Sequence, residues 1–193
     1  MKDESNSQAK ITTAITSGIA QGRATSNRAS AWPLKRLLTR SAVPRPSIVA
    51  ALPAASARTM AATPEVMLFV LAPVLSFDLA GAPPAGIPVE VGFSARGRVR
   101  WLGVLPSWIH EITVRRLDEL EIYTNEHGGP IRVWNHRLTF EPLGPDRCRY
   151  TDAIEIEDGV QGLLTGLFVR AMFRHRHRRW RVLAATVAAI DAR

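Results

Sequence analysis

Three histidines and one aspartate carry most of the chemical interest of this sequence, because periodicity sets each of them among apolar residues. In the stretch from Trp108 to Val114, alternation puts Trp108, His110, Ile112 and Val114 on one side and Glu111, Thr113 and Arg115 on the other. From Trp134 to Phe140 the same period groups Trp134, His136, Leu138 and Phe140. On a helical wheel, Leu164, Leu167, Phe168, Ala171, His175, Val182 and Thr186 share a face, opposite Arg170, Arg174, His177 and Arg181. If that helix packs on those strands, His110, His136 and His175 converge. Three imidazoles can hold a transition metal, and a neutral buried histidine can act as a base. No His-x-x-x-His or other short ligand spacing accompanies them. Hydrogen-bonded core histidines are therefore the simpler expectation, and no metal or cofactor is expected.

Asp152 falls on the same nominal face as Tyr150 and Ile154, so alternation buries an acid. A buried carboxylate needs a partner. It is either a group that accepts a proton or anchors a ligand, or half of an ion pair with an arginine, for which Arg179 is the candidate. Among possible catalytic groups, His136, His175 and Asp152 stand first, and the ion pair is the simpler account of Asp152. Glu126, just before the Gly128-Gly129 turn, is a candidate at the rim of the same space.

The elements that position these groups are legible in order. Ser47 to Leu52 has the length and β-branching of a strand, and Pro53 closes it. Ala54 to Ala62 is an alanine-rich helix, and a second short helix runs from Glu65 to Leu71 before Pro73. Phe93 to Trp101, Trp108 to Val114, Leu120 to Thr124, Trp134 to Phe140 and Cys148 to Ile156 read as successive strands joined by Gly- and Pro-containing turns. From about Gly159 to Ile190 no proline interrupts helical spacing. Strands at hairpin spacing followed by one long helix specify an antiparallel sheet covered by that helix.

The last helix carries Arg170, Arg174, Arg176, Arg178, Arg179 and Arg181. Such a run resembles a phosphate-reading surface. Pairing with Glu111, Glu155 and Glu157 on neighbouring strands, and the favourable place of cations near a helix C-terminus, account for it more simply. No helix-turn-helix or aromatic platform accompanies it, so nucleic acid is not the expected partner. Trp180 lies with Val169 and Phe173 on a second apolar stripe, which offers packing for the short helices or a surface for dimer or membrane contact.

The chain of 193 residues holds 25 basic and 17 acidic residues, a net charge of +8. Through Arg45 there are eight basic residues against Asp3 and Glu4, which leaves 17 basic and 15 acidic residues for the rest. The basicity thus belongs mostly to a leader, residues 1–45, expected to be poorly ordered, followed by one domain over 46–190. The segment is Arg- and Ser-rich like a targeting peptide, but its early acids and lack of an apolar h-region argue against one. A single cysteine, Cys148, rules out an internal disulfide and fits a reducing compartment, so the expectation is a soluble cytoplasmic protein, monomer or homodimer. No apolar run approaches the ~20 residues of a membrane-spanning helix.

The order of elements, together with Leu102-Gly-Val-Leu-Pro106, Gly128-Gly-Pro-Ile-Arg-Val-Trp-Asn-His136, Tyr150-Thr-Asp152 and Phe173-Arg-His-Arg-His-Arg-Arg179, resembles the START-like helix-grip (SRPBCC) superfamily, with its polyketide cyclase/dehydrase and lipid-transport group. The last string is similar to an actinobacterial-type subgroup. The resemblance spans about residues 47–184 and departs from the pattern at the helix near Ala54, which lacks the tryptophan and acids often found there. It implies an α+β fold, a curved antiparallel β-sheet wrapped around a long C-terminal α-helix, with short helices after the first strand. It also implies an apolar ligand, such as a lipid or polyketide-like metabolite, between sheet and helix. Trp101, Trp108, Trp134, Phe140 and Phe168 would line that space, and His110, His136 and His175 would orient the ligand. Two alternatives accompany this expectation: a cyclase- or dehydratase-like enzyme in the same cavity, and an interaction module built on the arginine face.

Overall fold

The computed structural model describes residues 41–42, 47–129, 133–157 and 162–191. The elements run β1 (Ser41–Ala42), β2 (Ser47–Ala50), α1 (Ala54–Ala61), α2 (Pro64–Leu71), β3 (Leu75–Phe77), β4 (Ser94–Trp101), β5 (Leu105–Leu117), β6 (Glu121–His127), β7 (Val133–Gly144), β8 (Arg147–Glu157) and α3 (Gly162–Asp191). The leader expected over residues 1–45 lies outside the described residues, apart from Ser41–Ala42, which pair with Glu155 and Ile156.

All strand pairs are antiparallel, in the order β1-β8-β7-β6-β5-β4-β3, with β2 also on the outer edge of β8. The long β4-to-β8 run follows from hairpin connectivity and period-two patterning. Along β8 the buried residues are Cys148, Tyr150, Asp152, Ile154 and Ile156, every second one. Bulges interrupt the register between Arg98 and Arg100, between Val114 and Arg116, and between Pro142 and Gly144. Extra residues of this kind bend a strand and increase its twist, which curves the sheet around α3. The result is the helix-grip fold.

Two short strands have too few residues for a period to show. β3 pairs with the end of β4, Leu75 opposite Trp101 and Phe77 opposite Val99. Gly97 makes room for the chain leaving β3: a Cβ there would lie 2.0 Å from the Asp78 carbonyl oxygen. The helices α1 and α2 close one end of the grip. Pro64 stands at the first turn of α2, where its missing N–H costs nothing. The main core joins Leu52, Met60, Phe69, Phe140, Tyr150, Trp180, Leu183 and Val187.

The face that α3 buries differs from the wheel's assignment. Val169, Met172, Phe173, His177, Trp180, Leu183, Ala184 and Val187 are buried. Leu167 and Val182 are more than half exposed, and Ala171 and Thr186 also face outward. The side chain of Leu164 lies outside the described residues. The stripe through Val169, Phe173 and Trp180 buries more aromatic area, and that outweighs the smaller residues of the other face.

Candidate functional site

A cavity of about 170 Å³ lies between the concave face of the sheet and α3, closed at one end by α1 and α2. Apolar side chains from every layer form most of its wall, among them Val66, Leu75, Val99, Ile112, Leu138 and Met172. Trp108, His110, Trp134, His136 and Phe168 line it as expected from sequence. Three expected lining residues stand elsewhere. Phe140 is fully buried in the core against Tyr150. Trp101 sits behind the wall, edge-on to Trp108 and Phe168 with ring centres 6.1 and 5.3 Å away. His175, on the flank of α3, donates its Nε2–H to the Ala72 carbonyl at 2.8 Å, tying the helix to the end of α2. It is a structural clamp, away from the cavity wall, so the three-histidine convergence does not form. The buried histidine of α3 is His177, between the rings of Tyr150 and Phe173.

The polar groups of the cavity form two similar chains, each begun by a Trp-x-His sequence on one strand. On β5 the indole Nε1–H of Trp108 points to His110 Nδ1 at 3.4 Å, and His110 Nε2 lies 3.0 Å from Glu126 Oε2. On β7 the indole of Trp134 donates to His136 Nε2, and His136 Nδ1 lies 3.1 Å from Asp152 Oδ1. An indole nitrogen can only donate. Each histidine therefore accepts at one nitrogen and turns the other towards a carboxylate, and Arg176 Nη1 also lies 3.4 Å from His136 Nδ1. Both nitrogens of each ring are engaged, which leaves neither imidazole a free lone pair for substrate. The repeated Trp-x-His spacing, at 108–110 and 134–136, is the sequence signal that marks this arrangement.

Asp152 has no exposed surface and stands behind the wall. It is half of a buried ion pair, as expected, but with Arg176: Nη2 lies 3.1 Å from Oδ2, and the Tyr150 hydroxyl donates to the same oxygen at 3.3 Å. Arg179, the expected partner, instead donates to the Phe69 carbonyl and lies over the Phe69 ring. One helix turn decides between them, since Arg176 is on the buried face between Met172 and Trp180 and Arg179 is on its border. Burial opposes the charge of Asp152, yet Arg176, then His136, holds its carboxyl below the usual carboxylate range. Burial likewise opposes the Arg176 charge, and Asp152 more than restores it.

Glu126 is not at the rim. Its side chain is 12 % exposed and lies in the cavity wall between the two histidines, 3.8 Å from His136 Nε2. Thr124 donates to its other oxygen at 2.7 Å. Burial works against its charge, but His136, His110 and the Thr124 hydroxyl together hold its carboxyl below the ordinary value. The β6–β7 ladder ends at Thr124 opposite His136; beyond it the Asn135 side chain accepts the Glu126 backbone N–H at 3.4 Å, fixing the carboxylate's base. Gly129 lets Trp108 pack against the next turn, since a Cβ there would lie 2.5 Å from the indole ring.

On the outside of α3, Arg170, Arg174, Arg178 and Arg181 are exposed. Of the strand acids expected to pair with them, Glu111 faces His127, and Glu155 accepts from Tyr123 and Asn135. The side chain of Glu157 lies outside the described residues. Among the described residues, no helix is long and apolar enough to cross a membrane.

Solved structures with the same architecture include a START superfamily protein from Mycobacterium smegmatis (TM-score 0.56, 13 % identity, 76 % of this chain and 99 % of that one). A protein from Chromobacterium violaceum superposes with a TM-score of 0.59 at 11 % identity, covering 75 % of this chain and 98 % of that one. Truncated norcoclaurine synthase from Thalictrum flavum gives 0.54 at 12 % identity, covering 77 % and 97 %. At these identities the likeness is one of fold, the START-like helix grip. No curated protein matches the sequence. Residues 50–183, which contain α1 to β8, the cavity wall and most of α3, match one described domain family over more than half of the chain, and the protein belongs to that family, the domain of unknown function DUF8410.

Proposed function

We propose that this protein binds a small hydrophobic metabolite in the cavity between its sheet and α3. The observation that carries the reading is the cavity itself: about 170 Å³ of space, walled by apolar and aromatic side chains, with a few polar groups gathered at one place. An apolar engineered cavity of about 150 Å³ is known to take up benzene. The space here is on that scale, which favours a compact, ring-sized ligand over a long acyl chain. The START-like fold supports the reading, because its sheet and helix enclose such a space.

Trp108 and Trp134 stand in the wall, so occupancy is readable in their fluorescence. Titration with a panel of small aromatic and alicyclic compounds is expected to give saturable quenching or a spectral shift for some members. A flat response across the panel, with fatty acids and polyketide-like aromatics included, would remove the proposal.

A cyclase- or dehydratase-like activity in the same cavity is the second reading. The observation that favours it is Glu126, an ionised carboxylate facing an apolar space between two histidines. In that case Glu126 is the base and His110 and His136 are positioning residues, since their own nitrogens are occupied. The cytoplasm remains the expected location, to be checked by fractionation, and a monomer or homodimer the expected state, to be checked by sedimentation.

A further inference from the structure

The polar end of the cavity holds a carboxylate that no arginine or lysine pairs with among the described residues. Two carboxylates, Glu126 and Asp152, and one guanidinium, Arg176, are gathered there. Arg176 is committed to Asp152. The partners of Glu126 are His110 and His136, at 3.0 and 3.8 Å, and each of these rings also faces an indole N–H at one nitrogen. Both oxygens of Glu126 accept hydrogen bonds, Oε2 from His110 and Oε1 from Thr124, as an ionised carboxylate does. Among the described residues, Glu126 thus has two imidazoles and no arginine or lysine within ion-pair distance.

A carboxylate has about four lone-pair sites, and Glu126 uses two within the protein. Aromatic rings pack around the two histidines that flank it. Phe77 stands edge-on to His110 at 5.5 Å, Trp134 stacks along His136 at 6.0 Å, and Phe168 meets Trp134 at 6.2 Å. Aromatic faces attract an ammonium through their quadrupoles, most strongly where water is excluded.

We propose that the ligand of this cavity is a small apolar amine, its ammonium seated on Glu126 and its body among Trp108, Trp134 and Phe168. The inference rests on the reading that the cavity binds a small apolar molecule, and adds the charge of that molecule. It also accounts for a charged side chain in an apolar wall, which would otherwise only cost stability.

Benzylamine, benzyl alcohol and benzoate form a series of nearly equal size that differs in charge. Calorimetric titration of the full chain at neutral pH is expected to rank them in that order. A hydrogen bond to a charged group contributes about 1.5–3 kcal/mol, so benzylamine should bind roughly ten- to a hundredfold more tightly than the alcohol. Glu126→Gln, with its fold checked by circular dichroism, should bring the amine and alcohol within about threefold of each other. If that variant does not fold, the ranking on the unaltered chain decides alone. Equal or tighter binding of benzyl alcohol overturns the amine assignment and leaves cavity binding standing. So does failure of all three where neutral probes of the wider panel bind. If nothing binds at all, both readings fall.

Discussion

Replacing Arg176 with methionine removes the guanidinium that neutralises Asp152. The carboxylate then has no exposed surface and keeps only the His136 N–H at 3.1 Å and the Tyr150 hydroxyl at 3.3 Å. Breaking a buried ion pair from one side costs about 3–5 kcal/mol. Two remaining donors place this case near the lower end, about 3 kcal/mol. In a domain of this size each kcal/mol moves the melting temperature by about 2–4 °C, so Tm should fall by roughly 6–12 °C. Asp152→Asn alone strands the arginine and should also be destabilising. The double variant Asp152→Asn/Arg176→Met removes both charges and should recover to within about 1 kcal/mol of the original, because replacing a buried pair by neutral groups is often nearly neutral. Urea denaturation with a constant slope provides the free energies. If the two single effects add in the double variant, or if Arg176→Met costs less than about 1 kcal/mol, the pair is not the electrostatic centre described here.

His177 gives a pH signature. Burial pushes its pKa down, Asp152 partly opposes this, and the Arg176 and Arg181 charges add to the fall, bringing it from 6.5 to about 4. A base with a lowered folded-state pKa contributes stability that is fully present above about pH 6.5 and lost as pH falls towards 4. Between pH 7 and 5 the full shift corresponds to about 2 kcal/mol, and solvent access reduces the expected loss to about 1 kcal/mol. His177→Phe should flatten that slope in urea titrations at the two pH values, and should cost little at pH 7, since Nε2 has no partner among the described residues. An unchanged slope would show that another group titrates. His175→Ala should lose about 1 kcal/mol with the Ala72 hydrogen bond, yet leave ligand affinity unchanged within about twofold. Lost binding at undiminished stability would return His175 to the site.

Period two located the sheet well, and His110, His136, Trp108 and Trp134 reached the cavity as alternation required, because a strand's two faces admit no third orientation. Asp152 too was recognisable as buried and in need of an arginine. The helix was harder. Along α3, apolar residues occupy two stripes, and the phase of a helix is set by what it packs against, which its own sequence does not contain. Choosing the stripe through Phe168 and His175 exchanged the roles of His175 and His177 and put Arg179 where Arg176 stands. Glu126 looked peripheral because a carboxylate beside a glycine turn ordinarily faces water. Its burial depends on the sheet's curvature, on Asn135 holding its backbone, and on His110, a partner distant in sequence. Phe140 had the right parity for the cavity but lies where α1 and α3 already fill the space.

The most direct test of the central claim is native mass spectrometry of the protein purified from its own host. Binding in the cavity predicts a population carrying one non-covalent small organic molecule, released by denaturing solvent and basic in character if the charge inference also holds. A spectrum with only the bare chain, unchanged after incubation with the aromatic and alicyclic panel, would contradict the account.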